Sequence, residues 1–125
     1  EFTYVSMGNP HAITFVDNLD FDWRAKGAVM ERSPSFPNRT NVEFVKIVNP
    51  NEAIMKVWER GCGETMACGT GACAVVVAGA LQGLLPRDPV TVQLPGGPLT
   101  IHWNDKNRVM MTGPAVTVCK GTYHY

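Results

Sequence analysis

The 125 residues hold eleven basic and eleven acidic side chains, with 45% apolar and 18% charged residues. That composition supports one hydrophobic core and argues against disorder, a fibrous repeat or a second domain, so a single domain over 1–125 is expected. With zero net charge and no run of Lys or Arg, neither nucleic acid nor an anionic membrane surface is an expected partner, which leaves a small molecule.

In chain order, Phe2–Ser6 and Ala12–Val16 are β-rich runs separated by a turn at Gly8-Asn9-Pro10. From Asp20, the apolar positions Phe21, Trp23, Ala25, Ala28, Val29 and Met30 fall at roughly helical spacing, with Asp20 or Asp22 to cap the start and Ser33-Pro34 to stop it. Asn41–Val48 alternates as a strand with one partly buried face; after the turn at Asn49-Pro50-Asn51, Ala53–Arg60 returns as its antiparallel partner.

Thr70–Leu85 is apolar around nearly its whole circumference, so the helix it forms must be buried on all sides, with Pro86 as its stop. The uncharged window Met66–Leu85 is long enough to raise the question of a membrane span, but its four Gly, two Thr or Gln and two Cys fit a core helix better. Val90–Leu94, Leu99–Trp103, Arg108–Met111 and Val116–Tyr123 then read as short strands. The expected fold is α+β: an antiparallel or mixed sheet curled around one buried central helix.

Cys62, Cys68, Cys73 and Cys119 accompany no basic-then-apolar leader, so reduced thiols in a cytoplasmic protein are the expectation. Their C-x5-C and C-x4-C spacings are not those of a zinc site, and no metal is expected. Chemistry concentrates in Glu59-Arg60-Gly61-Cys62-Gly63-Glu64-Thr65-Met66-Ala67-Cys68-Gly69-Thr70-Gly71. This glycine-rich segment delivers the chain to the N-terminus of the apolar helix, where unpaired amides and the helix dipole favour a carboxylate or phosphate. The same field is expected to favour thiolate at Cys68; a small buried thiol without chemistry is the competing reading. Gly69-Thr70-Gly71-Ala72-Cys73-Ala74 also satisfies a dinucleotide-binding pattern. That reading is rejected because Asp88 precedes its strand instead of ending it, and because antiparallel hairpins are expected downstream.

Gly8-Asn9-Pro10-His11, Thr40-Asn41-Val42-Glu43-Phe44, Glu59-Arg60-Gly61 and Ala67-Cys68-Gly69-Thr70-Gly71, in this order and beside the apolar helix, resemble the diaminopimelate epimerase family over nearly the whole chain. The resemblance implies a two-lobed enzyme that needs no cofactor and interconverts LL- and meso-diaminopimelate, in lysine and cell-wall precursor synthesis. Substrate lies between the lobes, and each lobe gives one cysteine, because inverting a carbon centre needs a base on one face and an acid on the other.

Carried onto this sequence, the resemblance makes Cys68 the acid–base thiol and has Gly69 and Thr70 hold the α-carboxylate through their backbone N–H groups. Glu59 receives the ammonium group, Arg60 the distal carboxylate, and Asn9 and Asn41 the distal amino-acid end. His11 becomes the polar partner of the other lobe's cysteine. Cys62, Cys73 and Cys119 are expected to be small buried hydrophobes. Nothing here resembles the N-terminal lobe, so the chain is expected to be the C-terminal lobe with the N-terminal lobe as its missing partner; homodimer formation is left open. The alternatives are a racemase of another small acid such as proline, or a non-catalytic anion-binding module.

Overall fold

A computed structural model describes all residues from Glu1 to Tyr125. Eight strands form one sheet: β1 (Thr3–Ser6), β2 (Pro10–Phe15), β3 (Asn41–Asn49), β4 (Glu52–Glu59), β5 (Gly63–Glu64), β6 (Val90–Leu94), β7 (Gly97–Trp103) and β8 (Val109–Thr112). Their order is β1-β2-β3-β4-β6-β7-β8, with β5 a short addition to β4. Two helices, α1 (Trp23–Glu31) and α2 (Gly69–Leu81), complete the expected α+β fold. No helix is long and apolar enough to cross a membrane.

The sheet is mixed. β2 and β3 run parallel, as do β4 and β6, and each parallel pair is joined through a helix, α1 for the first and α2 for the second. This is the mixed form of the expected sheet: a parallel neighbour requires a long crossover and both helices lie in one, while β6, β7 and β8 follow as the antiparallel hairpins expected downstream. The dinucleotide reading still fails, since Asp88 stands before β6 and not at its end.

The alternation of strand side chains sorts the two helices to opposite faces. Odd-numbered Val45, Ala53, Met55 and Val57 join α2 in the main core, whereas even-numbered Val42 and Phe44 pack with Trp23 under α1 and Trp58 lies against them. β3 is therefore buried on both faces from Val42 to Val45, not on one. α2 touches β1, β2 and β3 on one side and β7 and β8 on the other, which requires the sheet to curl around it.

Helix ends follow local chemistry. Asp22 accepts a hydrogen bond from the Ala25 amide at 3.0 Å and caps α1. α2 stops earlier than expected, at Leu81, because Gly83 adopts a left-handed φ of +70°. The Leu84 amide then reaches back to the Gly79 carbonyl and the Gly83 amide to the Ala80 carbonyl, a Schellman closure that makes Pro86 unnecessary as a stop. Leu85 packs so closely on Gly79 that a Cβ there would lie 2.6 Å from its Cδ1.

The expected last strand is absent: Val116–Tyr123 has strand composition but pairs with nothing, and Val116 and Val118 are 82% and 93% exposed. A strand exists only in a ladder, and pairing ends with β8 at Thr112, just before Gly113-Pro114.

Beneath α1, Glu31 is a buried junction. Its Oε2 accepts from the Trp58 indole N–H at 2.9 Å, its Oε1 accepts from the Gly61 amide at 2.8 Å, and Arg39 stands 3.6 Å away. Burial pushes its carboxyl up, but those donors and Arg39 more than offset it and hold it below its ordinary range. Glu31→Ala would strand two donors, each costing about 1–3 kcal/mol when left unmade. A loss of about 2–5 kcal/mol in urea unfolding is expected, larger than for Val29→Ala on the exposed face of α1.

Candidate active site

Three strands and the N-terminus of α2 build the site from one face of the sheet. His11 on β2, Glu43 on β3 and Glu59 on β4 share the parity of the α2-facing core residues, so all three point toward the start of that helix. Cys68 is the last extended residue before the helix, at φ −137° and ψ 99°, with its side chain buried. Behind it, the Gly96 amide donates to the Met66 carbonyl at 2.7 Å and anchors the approach loop.

Glycine turns permit the sharp entry. Gly61 and Gly63 sit at φ +77° and +80°, where an L side chain would be strained, and the Cys62 amide closes the turn onto the Glu59 carbonyl. Glu59 ends β4 on the inner face, and the turn begins at Arg60. Glu59 Oε1 accepts from the Thr65 hydroxyl at 2.6 Å. The Arg60 side chain is exposed, donates to the Asn38 carbonyl at 3.4 Å and borders an open cavity of about 560 Å3 also lined by Tyr4, Asn9, Phe36 and Arg39.

Asn41 is buried and works as a backbone clamp. Its Nδ2 donates to the Pro10 carbonyl and its Oδ1 accepts from the Arg60 amide, both at 2.8 Å, tying the entry of β2 to the exit of β4. Asn9 instead reaches the helix: its Nδ2 donates to Thr70 Oγ1 at 3.1 Å, and its Oδ1 lies 3.1 Å from His11 Nε2. The Thr70 hydroxyl is also 3.1 Å from that His11 nitrogen and 3.8 Å from Cys68 Sγ. The first amides of α2, those of Gly69 and Thr70 among them, have no partner within the helix.

The structure thus gathers Cys68, Thr70, His11 and Asn9 into one cluster, with Glu59 nearby and Arg60 on the adjoining rim. Two participants were not singled out from sequence: Thr65, and Glu43, whose Oε1 lies 2.6 Å from His11 Nδ1 with both side chains fully buried. The signal for Glu43 was available, as it is the one carboxylate inside the apolar run Val42-Glu43-Phe44-Val45. Glycine at 71 is needed because a Cβ there would lie 2.8 Å from Glu43 Oε1 and 3.1 Å from Cys68 Sγ.

His11, Glu43 and Cys68 place one donor atom each within 4.8 Å of one another. Two ligands on a tetrahedral zinc would stand about 3.3 Å apart, so the 2.6 Å between His11 and Glu43 is hydrogen-bond geometry.

Electrostatics corrects the expectation of a thiolate. Burial pushes the Cys68 thiol up to about 11, Glu59 and Glu43 add to the rise, and the nearby Gly71 amide and Thr70 hydroxyl ease it only in part, without a full capping bond to the sulfur. Burial likewise raises Cys73, whereas Cys62 and Cys119 are exposed and are not the buried hydrophobes expected of them. At pH 7.5, limited iodoacetamide should therefore alkylate Cys62 and Cys119 first, with Cys68 and Cys73 at least about tenfold slower. Peptide mass mapping over time gives the order; early labelling of Cys68 would contradict this description of its surroundings.

Comparison with known proteins identifies a family for the chain. The family model described as diaminopimelate epimerase matches residues 3–118. The chain is 57% identical over 122 residues to the diaminopimelate epimerase of Desulfitobacterium hafniense, covering 97% of this chain and 43% of that protein. It is 52% identical over 126 residues to that of Bacillus cereus and 54% identical over 122 residues to that of Methanococcus maripaludis, covering 99% and 96% of this chain and 44% of each relative. The chain therefore spans under half the length of these relatives. Among solved structures, a Bacillus anthracis phenazine biosynthesis protein of the PhzF family superposes with a TM-score of 0.58 at 21% identity, over 88% of this chain and 37% of that one, a likeness of fold. On the family match and these identities, the chain belongs to the diaminopimelate epimerase family.

Proposed function

We propose that this chain is the C-terminal lobe of a two-lobed, cofactor-independent enzyme that interconverts LL- and meso-diaminopimelate, and that the lobe supplies one of the two acid–base thiols. One observation carries the reading: Cys68 stands at the amide-lined N-terminus of α2 beside Glu59, with Arg60 and Asn9 on the neighbouring rim. The names of the relatives and their greater length support it.

In this scheme the Gly69 and Thr70 amides receive the substrate's α-carboxylate, so charge that develops there on loss of the α-proton meets donors already in place. Glu59, steadied by Thr65, receives the α-ammonium group. Burial keeps Cys68 a thiol at neutral pH, which makes it the proton donor for the epimer whose α-hydrogen faces the other lobe. The base for that direction is the opposing cysteine, with His11 as its polar partner. Having given its proton to carbon, Cys68 is left as the thiolate and the opposing cysteine as the thiol, so in the reverse direction the roles exchange and Cys68 takes the α-proton.

Arg60 pairs with the distal carboxylate, for which a planar fork is suited. Asn9 addresses the distal amino-acid end directly, and Asn41 acts on it through the Arg60 backbone that it holds. Cytoplasmic placement suits four unpaired cysteines.

The decisive measurement follows α-proton exchange and LL-to-meso conversion in D2O, for this chain alone and for a two-lobed enzyme containing it, at equal concentration. Activity is expected only with both lobes, because one thiol serves one face; comparable turnover by the lone chain would refute the two-lobe reading. Within the two-lobed enzyme, Cys68→Ala is expected to lower kcat by at least about 10²–10⁴-fold with the fold retained by circular dichroism. Arg60→Lys should raise KM by about tenfold, since a point charge cannot reproduce a two-pronged contact. An unchanged KM would reduce Arg60 to a structural part.

A further inference from the structure

His11 is fully buried, yet its two ring nitrogens face different worlds. Nδ1 points inward to Glu43 Oε1 at 2.6 Å, while Nε2 points to the Asn9 carbonyl oxygen and the Thr70 hydroxyl, each at 3.1 Å, at the rim of the site. Asn9 turns its NH2 to Thr70 Oγ1, which leaves its oxygen toward His11. An amide oxygen only accepts, so Nε2 must carry a hydrogen to satisfy it.

On the inner side there are two placements for the remaining proton. Either Nδ1–H donates to an ionised Glu43, or a protonated Glu43 donates to a neutral Nδ1. Both keep the hydrogen on Nε2, and both leave the pair without net charge. Neutrality as a pair is what the site demands, because Glu43 Oε2 is buried with no hydrogen-bond partner, and an isolated carboxylate there would be uncompensated. The titratable groups around Glu43 are His11 from β2, Glu59 from β4 and Cys68 from α2. Burial raises its carboxyl and Glu59 adds to the rise, while His11 opposes it.

We propose that Glu43 is a positioning residue that shares one proton with His11 Nδ1 and so holds a hydrogen on Nε2, aimed out of the buried pair toward Asn9, Thr70 and the cleft. Nε2 has no free surface in this chain, so the imidazole presents its fixed donor to an anion in the cleft when Asn9 or Thr70 turns aside. Resting on the two-lobe reading, that anion is the thiolate of the opposing cysteine when it has taken the α-proton, with the Thr70 hydroxyl aligned on the same nitrogen. Without the carboxylate, a neutral imidazole is free to place its single hydrogen on Nδ1, which would turn a lone pair toward the thiolate. Glu43 thus acts on catalysis without touching substrate.

The test uses Glu43→Gln, which keeps size and hydrogen-bonding capacity and removes the exchangeable carboxyl proton. In the two-lobed protein labelled with 15N-histidine, with His11→Gln identifying the signal, the parent should show a protonated Nε2 at pH 8. Glu43→Gln should show partial loss of that protonation as the tautomers mix. The same substitution should lower kcat by about 10- to 100-fold, the range for orienting partners of a functional imidazole, with KM within about threefold.

In the His11→Gln background, adding Glu43→Gln should cost little more, because its effect runs through the ring. Equal Nε2 protonation in parent and variant, or fully additive losses in the double variant, would overturn the proposal. The nitrogen signal does not depend on the substrate. An enzyme inactive on diaminopimelate but with the expected shift on Glu43→Gln would count against the epimerase reading and in favour of the Glu43–His11 pair.

Discussion

A helix without a polar face cannot lie on a sheet; it has to be enclosed. Gly71 to Val76, Ala78 and Gly79 of α2 are all buried, and the sheet meets that demand by bending until strands from both of its halves touch the same helix. Once the flanks are sealed, the N-terminal end is where α2 stays polar, because its first amides have no partners in the helix. On β2, β3 and β4 the odd-numbered residues line the enclosed side, as the even-numbered Val90, Val92 and Leu94 do on β6, so polar side chains on that side near the helix start converge there. The geometry of the candidate site is thus a by-product of packing: His11, Glu43 and Glu59 occupy core-facing positions where the strands meet the unpaired donors at the start of α2.

Two carboxylates, one on each face of the sheet, show how burial is made tolerable by different means. Glu31 is saturated with donors from Trp58 and Gly61 and has Arg39 close by, and its charge is stabilised. Glu43 has one partner, His11, and an oxygen with none, and its carboxyl is pushed toward the neutral form. The first arrangement suits a structural brace, because nothing is gained by moving its proton. A pair poised to pass a proton between its members is useful where the outer atom of the ring must present a defined hydrogen.

Much of this was legible before any coordinates. The all-round apolarity of Thr70–Leu85, of which the helix uses the part up to Leu81, the glycine entry at 61–63 and the placement of Cys68 ahead of the helix are local features, and local features survive into the structure because few tertiary alternatives compete with them. Sheet direction was less visible. Alternation along Asn41–Val48 marks a strand but says nothing about whether its neighbour runs parallel, and the pairing of β2 with β3 depends on α1 covering the face that holds Val42 and Phe44. Val116–Tyr123 has the residue types of a strand and no neighbour to pair with. The Cys68 thiol misled in another way: the helix field was readable from sequence, but the desolvation that outweighs it depends on how deeply the sulfur sits and on carboxylates delivered from β3 and β4.

The parity of β3 has a consequence for how the fold can change over time. This strand carries the Trp23 and Trp58 packing face on its even positions and the His11 partner on its odd ones, while Asn41 at its start clamps β2 to the turn at Arg60. A single-residue insertion or deletion inside Asn41–Val45 would exchange the two faces beyond it, putting a carboxylate against the tryptophans and an apolar side chain against the imidazole. No point substitution elsewhere could repair that. The connection at 32–40, by contrast, is free of strand register, so away from the buried Phe36 and Thr40 and from Arg39 beside Glu31 it can lengthen or shorten without exchanging the two faces. Length variation among descendants of such a fold is thereby channelled into its loops, while the stretch between Asn41 and Val45 is held to a fixed count.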